Sequence, residues 1–279
     1  MPVDLSVIGQ KLPSHPVRWT STDAILYALG VGAGAEDPAE DLAFTTENTE
    51  GVPQQVLPTF AAVIGADAPR LTYGDIDRRM TVHAEQSMVF HGALPPEGEG
   101  HLVRSVEAIY DKRSGALVAM KSALSDASGK LLADIHTSAF IRGEGNFGGE
   151  RGPKSSWTAP ERAPDLTVRQ QTRIDQCLLY RLSGDRNPLH SDPKFAAAGG
   201  WPRPILHGMC TYGFVGRAIL AQVGNDPARL RSLKTRFSAP VLPGDLLETA
   251  IWREEGRLLF QTRVGGKLVL DGGEAEILP

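Results

Sequence analysis

The chain repeats itself, and this constrains its fold more than any other feature. Leu26-Tyr-Ala-Leu-Gly30 resembles Leu179-Tyr-Arg-Leu-Ser183, and Val56-Leu-Pro-Thr-Phe60-Ala-Ala-Val-Ile-Gly65 resembles Cys210-Thr-Tyr212-Gly-Phe-Val-Gly216. Phe90-His-Gly-Ala-Leu-Pro95-Pro-Glu-Gly98 then resembles Phe237-Ser-Ala-Pro-Val-Leu-Pro243-Gly-Asp245. Each match is weak by itself, but the three keep one order at nearly constant offset, which points to a duplicated unit. Between the copies runs a Gly/Pro-rich stretch from Arg142 to Pro153, continuing through Pro160 and Pro164 without apolar periodicity, as a linker does. The expected organisation is a first repeat over 1–145, a linker over 146–165 and a second repeat over 166–279.

Both halves show the same order of segments. A helix with a Ser/Thr/Asp start opens each, at Ser21-Thr-Asp23 and at Thr172 to Asp175. A second, more apolar helix is expected next, over 207–222 in the second half. Its Met209, Phe214, Val215, Ile219 and Leu220 lie all around the helix, so it should be buried. Gly213, Gly216 and Ala218 between them would let a sheet approach closely. Strand-like runs follow at 80–90, 100–110, 116–125 and 131–141, and again at 232–239, 246–254, 257–264 and 267–277. Asp111-Lys-Arg-Ser-Gly115, Asp126-Ala-Ser-Gly129, Glu255-Gly256 and Gly265-Gly266 mark the turns. A buried helix followed by an antiparallel meander suggests a sheet curled around the helix, the α+β arrangement called a hot dog fold, here doubled.

Composition excludes several functions. A net charge of −4 with no Lys/Arg-dense run argues against a nucleic-acid binder, so an anionic ligand would need a local basic patch. No run approaches the ~18 apolar residues of a membrane span. Cys177 and Cys210 are too few for a disulfide framework and read as buried thiols in a reducing compartment. The chain does not open on a secretory leader, and its tail Glu276-Ile-Leu-Pro279 is not a peroxisomal tripeptide, so cytoplasm is expected.

The chemistry concentrates in Tyr180-Arg-Leu-Ser-Gly-Asp185-Arg186-Asn187-Pro188-Leu189-His190. An acid, an amide and an imidazole fall within six residues, rigidified by Pro188 and opened by Gly184. Such a cluster can hold one water between a base and an acid. His207-Gly208 opens the buried helix, where a backbone N–H at the positive end of the helix dipole could meet an oxyanion. By itself, Asp-x-Asn in a Gly/Pro turn is an ordinary turn signal, and His207 reads as a capping or core histidine. His15, His91, His101 and His136 read as surface or strand residues. No metal is expected, because Asp185, His190 and Asp192 lack the Cys/His spacing of a closed site. The Gly-rich linker is no phosphate loop, since no Lys-Ser/Thr follows it.

Tyr180 to His190, with Ser191-Asp-Pro-Lys-Phe195-Ala196 after it, resembles the signature of the hydratase 2 family, the (R)-specific enoyl-CoA hydratases related to MaoC-type dehydratases. Pro204-Ile-Leu-His-Gly208-Met-Cys-Thr-Tyr-Gly213-Phe, Lys234-Thr-Arg-Phe237-Ser-Ala-Pro240, Val82-His83-Ala84-Glu85-Gln86 and Phe147-Gly-Gly149 look like the two-domain version found in multifunctional peroxisomal β-oxidation enzymes. The resemblance implies a double hot dog protein without metal or cofactor. It also implies a dyad of Asp185 and His190, with Asn187 as a further polar contact and Gly208 as the donor to the thioester oxygen. Substrate contacts implied by the motifs are His83, Ala84, Lys112, Phe237 and the whole Asp185–His190 loop, Arg186, Pro188 and Leu189 included. Lys112 would be a cation for the CoA phosphates and Phe237 an apolar or stacking surface. This chain has His83-Ala84 where the family usually has His-Gly. Implied as well are an acyl-CoA substrate, (R)-3-hydroxyacyl-CoA as product and a homodimer.

The first half lacks the dyad. Aligned on Tyr27 and Tyr180, the place of Asp185 falls on Gly32 and that of His190 on Asp37, so one functional site per chain is expected. Other activities compatible with the fold are dehydration of a 3-hydroxyacyl thioester, thioester hydrolysis, or acyl-CoA binding without catalysis. Ser183 is a weak candidate nucleophile for hydrolysis.

Overall fold

In the computed structural model, which describes residues 3–279 (Arg78 by its backbone alone), the duplication is legible in the strand order. The first repeat contains β1 (His15–Trp19), β2 (Thr81–Phe90), β3 (Gly98–Asp111), β4 (Gly115–Asp126) and β5 (Leu131–Arg142). The second contains β6 (Leu166–Gln171), β7 (Leu230–Phe237), β8 (Leu246–Glu254), β9 (Arg257–Val264) and β10 (Lys267–Ile277). They form one ten-stranded sheet in the order β1-β3-β4-β5-β2-β7-β10-β9-β8-β6. Each half is thus the same antiparallel arrangement, and the copies join where β2 pairs with β7, from Glu85↔Arg236 to Val89↔Ser232. The eight strands and the turns between them fall where the sequence placed them.

The two outermost strands were not legible. β1 carries Pro16, which reads as a breaker, and both β1 and β6 are short. Each pairs on one side only, β1 with β3 and β6 with β8, the edge position in which proline and solvent-facing charges are tolerated.

Among the described residues there are five α-helices, α1 (Ser21–Gly30), α2 (Leu42–Thr45), α3 (Gln176–Tyr180), α4 (Pro193–Ala198) and α5 (Gly208–Ala221), of which α5 packs on β7. A reciprocal capping box between Thr20 and Asp23 starts α1. Residues 210–216 and 218–220 of α5 are buried, and Tyr212 Oη donates to the Leu233 carbonyl of β7 at 2.7 Å. The first repeat departs from the expected order here. Its counterpart of α5 is a single 3-10 turn, Pro58–Ala62, because Pro58 starts a turn that Gly65, at φ 72°, leaves in the left-handed region soon after.

The small residues of α5 also act differently from the expectation. A Cβ on Gly213 would lie 2.4 Å from Val31 Cγ1 and 2.8 Å from Tyr27 Oη, and one on Gly216 would lie 2.8 Å from Thr59 Cγ2. What approaches α5 so closely is α1 and the 3-10 turn of the other repeat, more than a sheet. Polar groups of the second repeat then satisfy the carbonyls at the end of α1. Gln176 Nε2 donates to Gly30 O at 2.7 Å, Cys210 Sγ donates to the same oxygen at 3.4 Å, and Arg217 Nη1 donates to Val31 O at 3.1 Å. The linker is held as well: the Asp111 carboxylate accepts the Asn146 and Gly148 amides, each at 2.9 Å.

Candidate active site

The motif loop folds by its own hydrogen bonds. After α3 and a 3-10 turn over Arg181–Ser183, Gly184 takes φ 122°, and a Cβ there would meet Ala66 Cβ at 2.3 Å. Only glycine satisfies both conditions. The Asn187 amide donates to Asp185 Oδ1 at 3.1 Å, and the Leu189 amide donates to Asn187 Oδ1 at 3.1 Å. Asn187 therefore starts the 3-10 turn Pro188–His190, which raises His190 into the interior at 8% exposure. His190 Nδ1–H donates to the Ile205 carbonyl at 2.8 Å, leaving Nε2 bare as a proton acceptor.

Three groups meet there. A carboxylate oxygen of Asp185, a ring nitrogen of His190 and a ring nitrogen of His207 all lie within 4.8 Å of one another. Two hydrogen bonds of about 2.8 Å meeting at one water oxygen separate their outer atoms by about 4.5 Å, so a single water fits between carboxylate and imidazole. His207, at 1% exposure, donates from Nε2 to the Asp185 carbonyl at 3.3 Å, and its ring stacks on that of His190 at 3.8 Å and 28°. Sequence reasoning set His207 aside; its one signal was its place next to Gly208. Asp192, considered as a ligand, caps α4 through the Lys194 and Phe195 amides instead. Near-parallel stacking also keeps the in-plane lone pairs of the two imidazoles from converging, so this trio is poorly arranged to share one metal ion.

Gly208 is the first residue of α5. The Cys210 and Thr211 amides reach back to the His207 carbonyl, leaving the Gly208 and Met209 amides without a backbone acceptor. A Cβ on Gly208 would lie 3.1 Å from Cε1 of Phe237, so the bare Cα keeps the amide open beside that ring. His83 packs on the other side of the site, its ring 4.5 Å from that of Phe237. The register shift between His83 and Glu85 makes Ala84 the extra residue of a β-bulge.

These groups line one cleft of about 1330 Å³, walled by both repeats. His83, Asp185, Arg186, Asn187, Pro188, Leu189, His190, Gly208 and Phe237 all face it. Ala84 and Lys112 do not. Ala84 is taken up by the bulge, and Lys112 lies in the β3–β4 turn, its Nζ on the Arg151 carbonyl and over the Tyr110 ring. Among the described residues, the cations lining the cleft are Arg70, Arg79, Arg142 and Arg186.

Burial sets the protonation of the histidines. It pushes His190 below its ordinary value, against the raising effects of the Ile205 carbonyl and the Asp185 charge. Burial takes His207 to about 3, with His190 adding to the fall, and His83 to about 4. All three are neutral at neutral pH.

The equivalent place in the first repeat is filled. Gly32, aligned with Asp185, has φ 81°, and a Cβ on it would lie 2.3 Å from Phe214 Cε1 and 3.3 Å from Arg217 Nη1. Arg217 pairs there with Asp41. Asp37, aligned with His190, is exposed and accepts the Ala39 amide at 2.8 Å.

Two known families match successive parts of the chain. The MaoC like domain matches residues 155–271, and the MFE-2 hydratase 2 N-terminal domain matches residues 18–143. The chain is 44% identical over 289 aligned residues to 3-hydroxyacyl-thioester dehydratase Y of Mycobacterium tuberculosis, covering 100% of this chain and 96% of that one. It is 42% identical to enoyl-CoA hydratase ChsH3 of the same organism, covering 93% and 92%. The structure of full-length peroxisomal multifunctional enzyme type 2 from Drosophila melanogaster superposes with a TM-score of 0.82 at 37% identity, over 95% of this chain and 48% of that one. With both domain types in sequence, a doubled 1-3-4-5-2 sheet and a single Asp/His centre, the chain belongs to the MaoC-like hydratase 2 family of double hot dog hydro-lyases.

Proposed function

We propose that the protein is an (R)-specific enoyl-CoA hydratase, adding water reversibly and syn across trans-2-enoyl-CoA to give (3R)-3-hydroxyacyl-CoA in fatty acid β-oxidation or related acyl-CoA metabolism. The observation that carries this is the meeting of Asp185, His190 and the open Gly208 amide in one cleft built by both repeats. Asp185 and neutral His190 grip one water. Its oxygen bonds to C3, the dyad takes a proton from it, and C2 receives a proton from the dyad on the same face. The electron pair displaced from the double bond gathers on the thioester oxygen as an enolate, facing the Gly208 N–H. Such a donor lowers a barrier by about 3 kcal/mol in comparable oxyanion sites.

The reverse direction, dehydration of a 3-hydroxyacyl thioester, uses the same groups and has its own support in the relative named for it. Thioester hydrolysis is less well supported, because buried Ser183 Oγ packs toward Gly30 of α1. The reaction needs no metal or cofactor in this reading, so activity should survive exhaustive chelation. The working unit is a homodimer, for which sedimentation is the test. Among the described residues no helix is long and apolar enough to cross a membrane. The reading keeps the enzyme in the cytoplasm, with the peroxisome of several named relatives as the alternative that cell fractionation distinguishes.

The deciding assay follows loss of the enoyl thioester absorbance with crotonyl-CoA and longer trans-2-enoyl-CoAs, beside a thiol reagent. Hydration without thiol release supports the reading. Thiol release at the same rate would replace it with a thioesterase.

A further inference from the structure

We propose that His207 is a positioning residue of this centre, holding the Asp185 main chain, the His190 ring and the Gly208 amide in one arrangement; the role rests on the hydratase reading above. His207 stands at the N-cap of α5 but makes no side-chain bond to that helix, the ordinary task of a cap. Its ring turns to the site instead. Nε2–H donates to the Asp185 carbonyl at 3.3 Å, fixing the backbone that carries the acid. One face lies on His190 at 3.8 Å, and the ring also contacts Tyr180 at 4.9 Å. Its own carbonyl accepts the Cys210 and Thr211 amides, and the next residue is Gly208.

The stack completes what one hydrogen bond cannot. The His190 side chain is held at Nδ1 by the Ile205 carbonyl alone, a contact about which an imidazole can rock. A second imidazole flat against its face fixes the plane of the ring and therefore the direction of Nε2. It also keeps water off that face. Among the described residues, the titratable and charged groups around the pair are Asp185, Tyr180, whose ring contacts His207, and, through His207, Arg181.

Packing by itself does not account for histidine here. Nδ1 of His207 is buried without a hydrogen-bond partner, a cost to folding that phenylalanine would avoid. What phenylalanine would lack is the donor to Asp185.

The test compares His207→Phe, which keeps a ring, with His207→Gln, which keeps an amide donor, and His207→Ala, which keeps neither. Readouts are kcat and KM on crotonyl-CoA, the thermal midpoint, and the NMR titration of the His190 imidazole. Since a displacement of about 1 Å in a reacting group costs about 100-fold, His207→Phe should lose about 30- to 100-fold in kcat with KM within about threefold. Its thermal midpoint should stay within about 4 °C of the parent. His207→Gln should retain more activity than His207→Phe, and in His207→Ala the His190 midpoint should rise as water reaches the exposed face.

A His207→Phe enzyme within about twofold of the parent kcat overturns the role. So does an activity loss that merely follows loss of folded protein across the three variants. If the parent hydrates no enoyl-CoA, the functional reading fails separately. The His190 titration then decides alone: a midpoint unmoved by His207→Ala refutes positioning, and a raised one upholds it.

Discussion

Gly208 lacks a side chain where Phe237 fills the space one would take. A Cβ would lie 3.1 Å from the ring, and the ring is itself packed by His83, so Gly208→Ala forces Phe237 toward the thioester path. We expect kcat/KM to fall about tenfold, equivalent to about 1.4 kcal/mol of barrier, with little loss of stability; steady-state kinetics and urea unfolding read the two parts. The dyad is more sensitive, since positioned acid–base groups contribute about 10²- to 10⁴-fold. Asp185→Asn and His190→Ala should each lose activity in that range while substrate binding by calorimetry changes little, and unchanged rates in both would remove the dyad. The pH dependence has a definite sign. His190 must be neutral to accept a proton, and burial lowers its proton affinity, so kcat/KM should hold as pH drops through 6.5 and fall only below it. Stability moves earlier. His207 titrates near 6.5 when unfolded but at about 3 when folded, so below pH 6.5 the unfolded chain binds a proton the native state refuses. His207 thereby removes about 1.4 kcal/mol per pH unit between those limits, and urea titrations at pH 7.5, 6 and 5 should show the slope shrink in His207→Phe. At this scale the sequence exposed the Asp185-x-Asn187…His190 spacing, because Asp185 and Asn187 each accept an amide two residues on and so set the turn that carries His190. It concealed His207, whose partners are the main chain of residue 185 and the ring of residue 190.

For the elements, turn chemistry and period located eight of the ten strands, since a hairpin's register is encoded in a few adjacent residues. The edge strands escaped because they are short, five and six residues, and Pro16 reads as a breaker, although burial alternates along both. In the second repeat α3 was recognisable from its Thr172–Asp175 start and α5 from apolar residues on every face, but the loss of the matching helix in the first repeat was not. Val56–Gly65 resembles its partner in α5 well enough to suggest the same structure, yet Pro58 and Gly65 confine it to one 3-10 turn. The close contact between repeats gives a direct test. Gly213→Ala places a methyl 2.4 Å from Val31 Cγ1, so overpacking should cost about 1–3 kcal/mol in urea unfolding. Gly32→Asp, which restores the missing acid of the first repeat, meets Phe214 and a left-handed backbone together. It should destabilise the protein without creating a second site, and a doubled burst or substrate stoichiometry would contradict this.

At the scale of the whole molecule, neither repeat closes by itself. The second repeat depends on α1 for cover over α5, and the end of α1 depends on Gln176, Cys210 and Arg217 for hydrogen-bond partners. A fragment of residues 146–279 should therefore lack cooperative unfolding and hydratase activity despite carrying the entire dyad, as circular dichroism melting and the crotonyl-CoA assay would register. Mixing it with residues 1–145 should recover part of both, because β2 and β7 can still pair.

The duplication, the strand and turn pattern and the Asp185–His190 spacing were determined by the sequence alone, since hydrogen bonds and side-chain periods within a few residues encode them. Only the tertiary structure decided that His83, Phe237 and Gly208 share one cleft with the dyad, that Ala84 and Lys112 lie outside it, and that Phe214 and Arg217 fill the vestigial site. Those outcomes depend on contacts between residues from about thirty to more than a hundred and fifty positions apart, made when two sheets join edge to edge and glycines let the helices touch, and no local pattern carries that information.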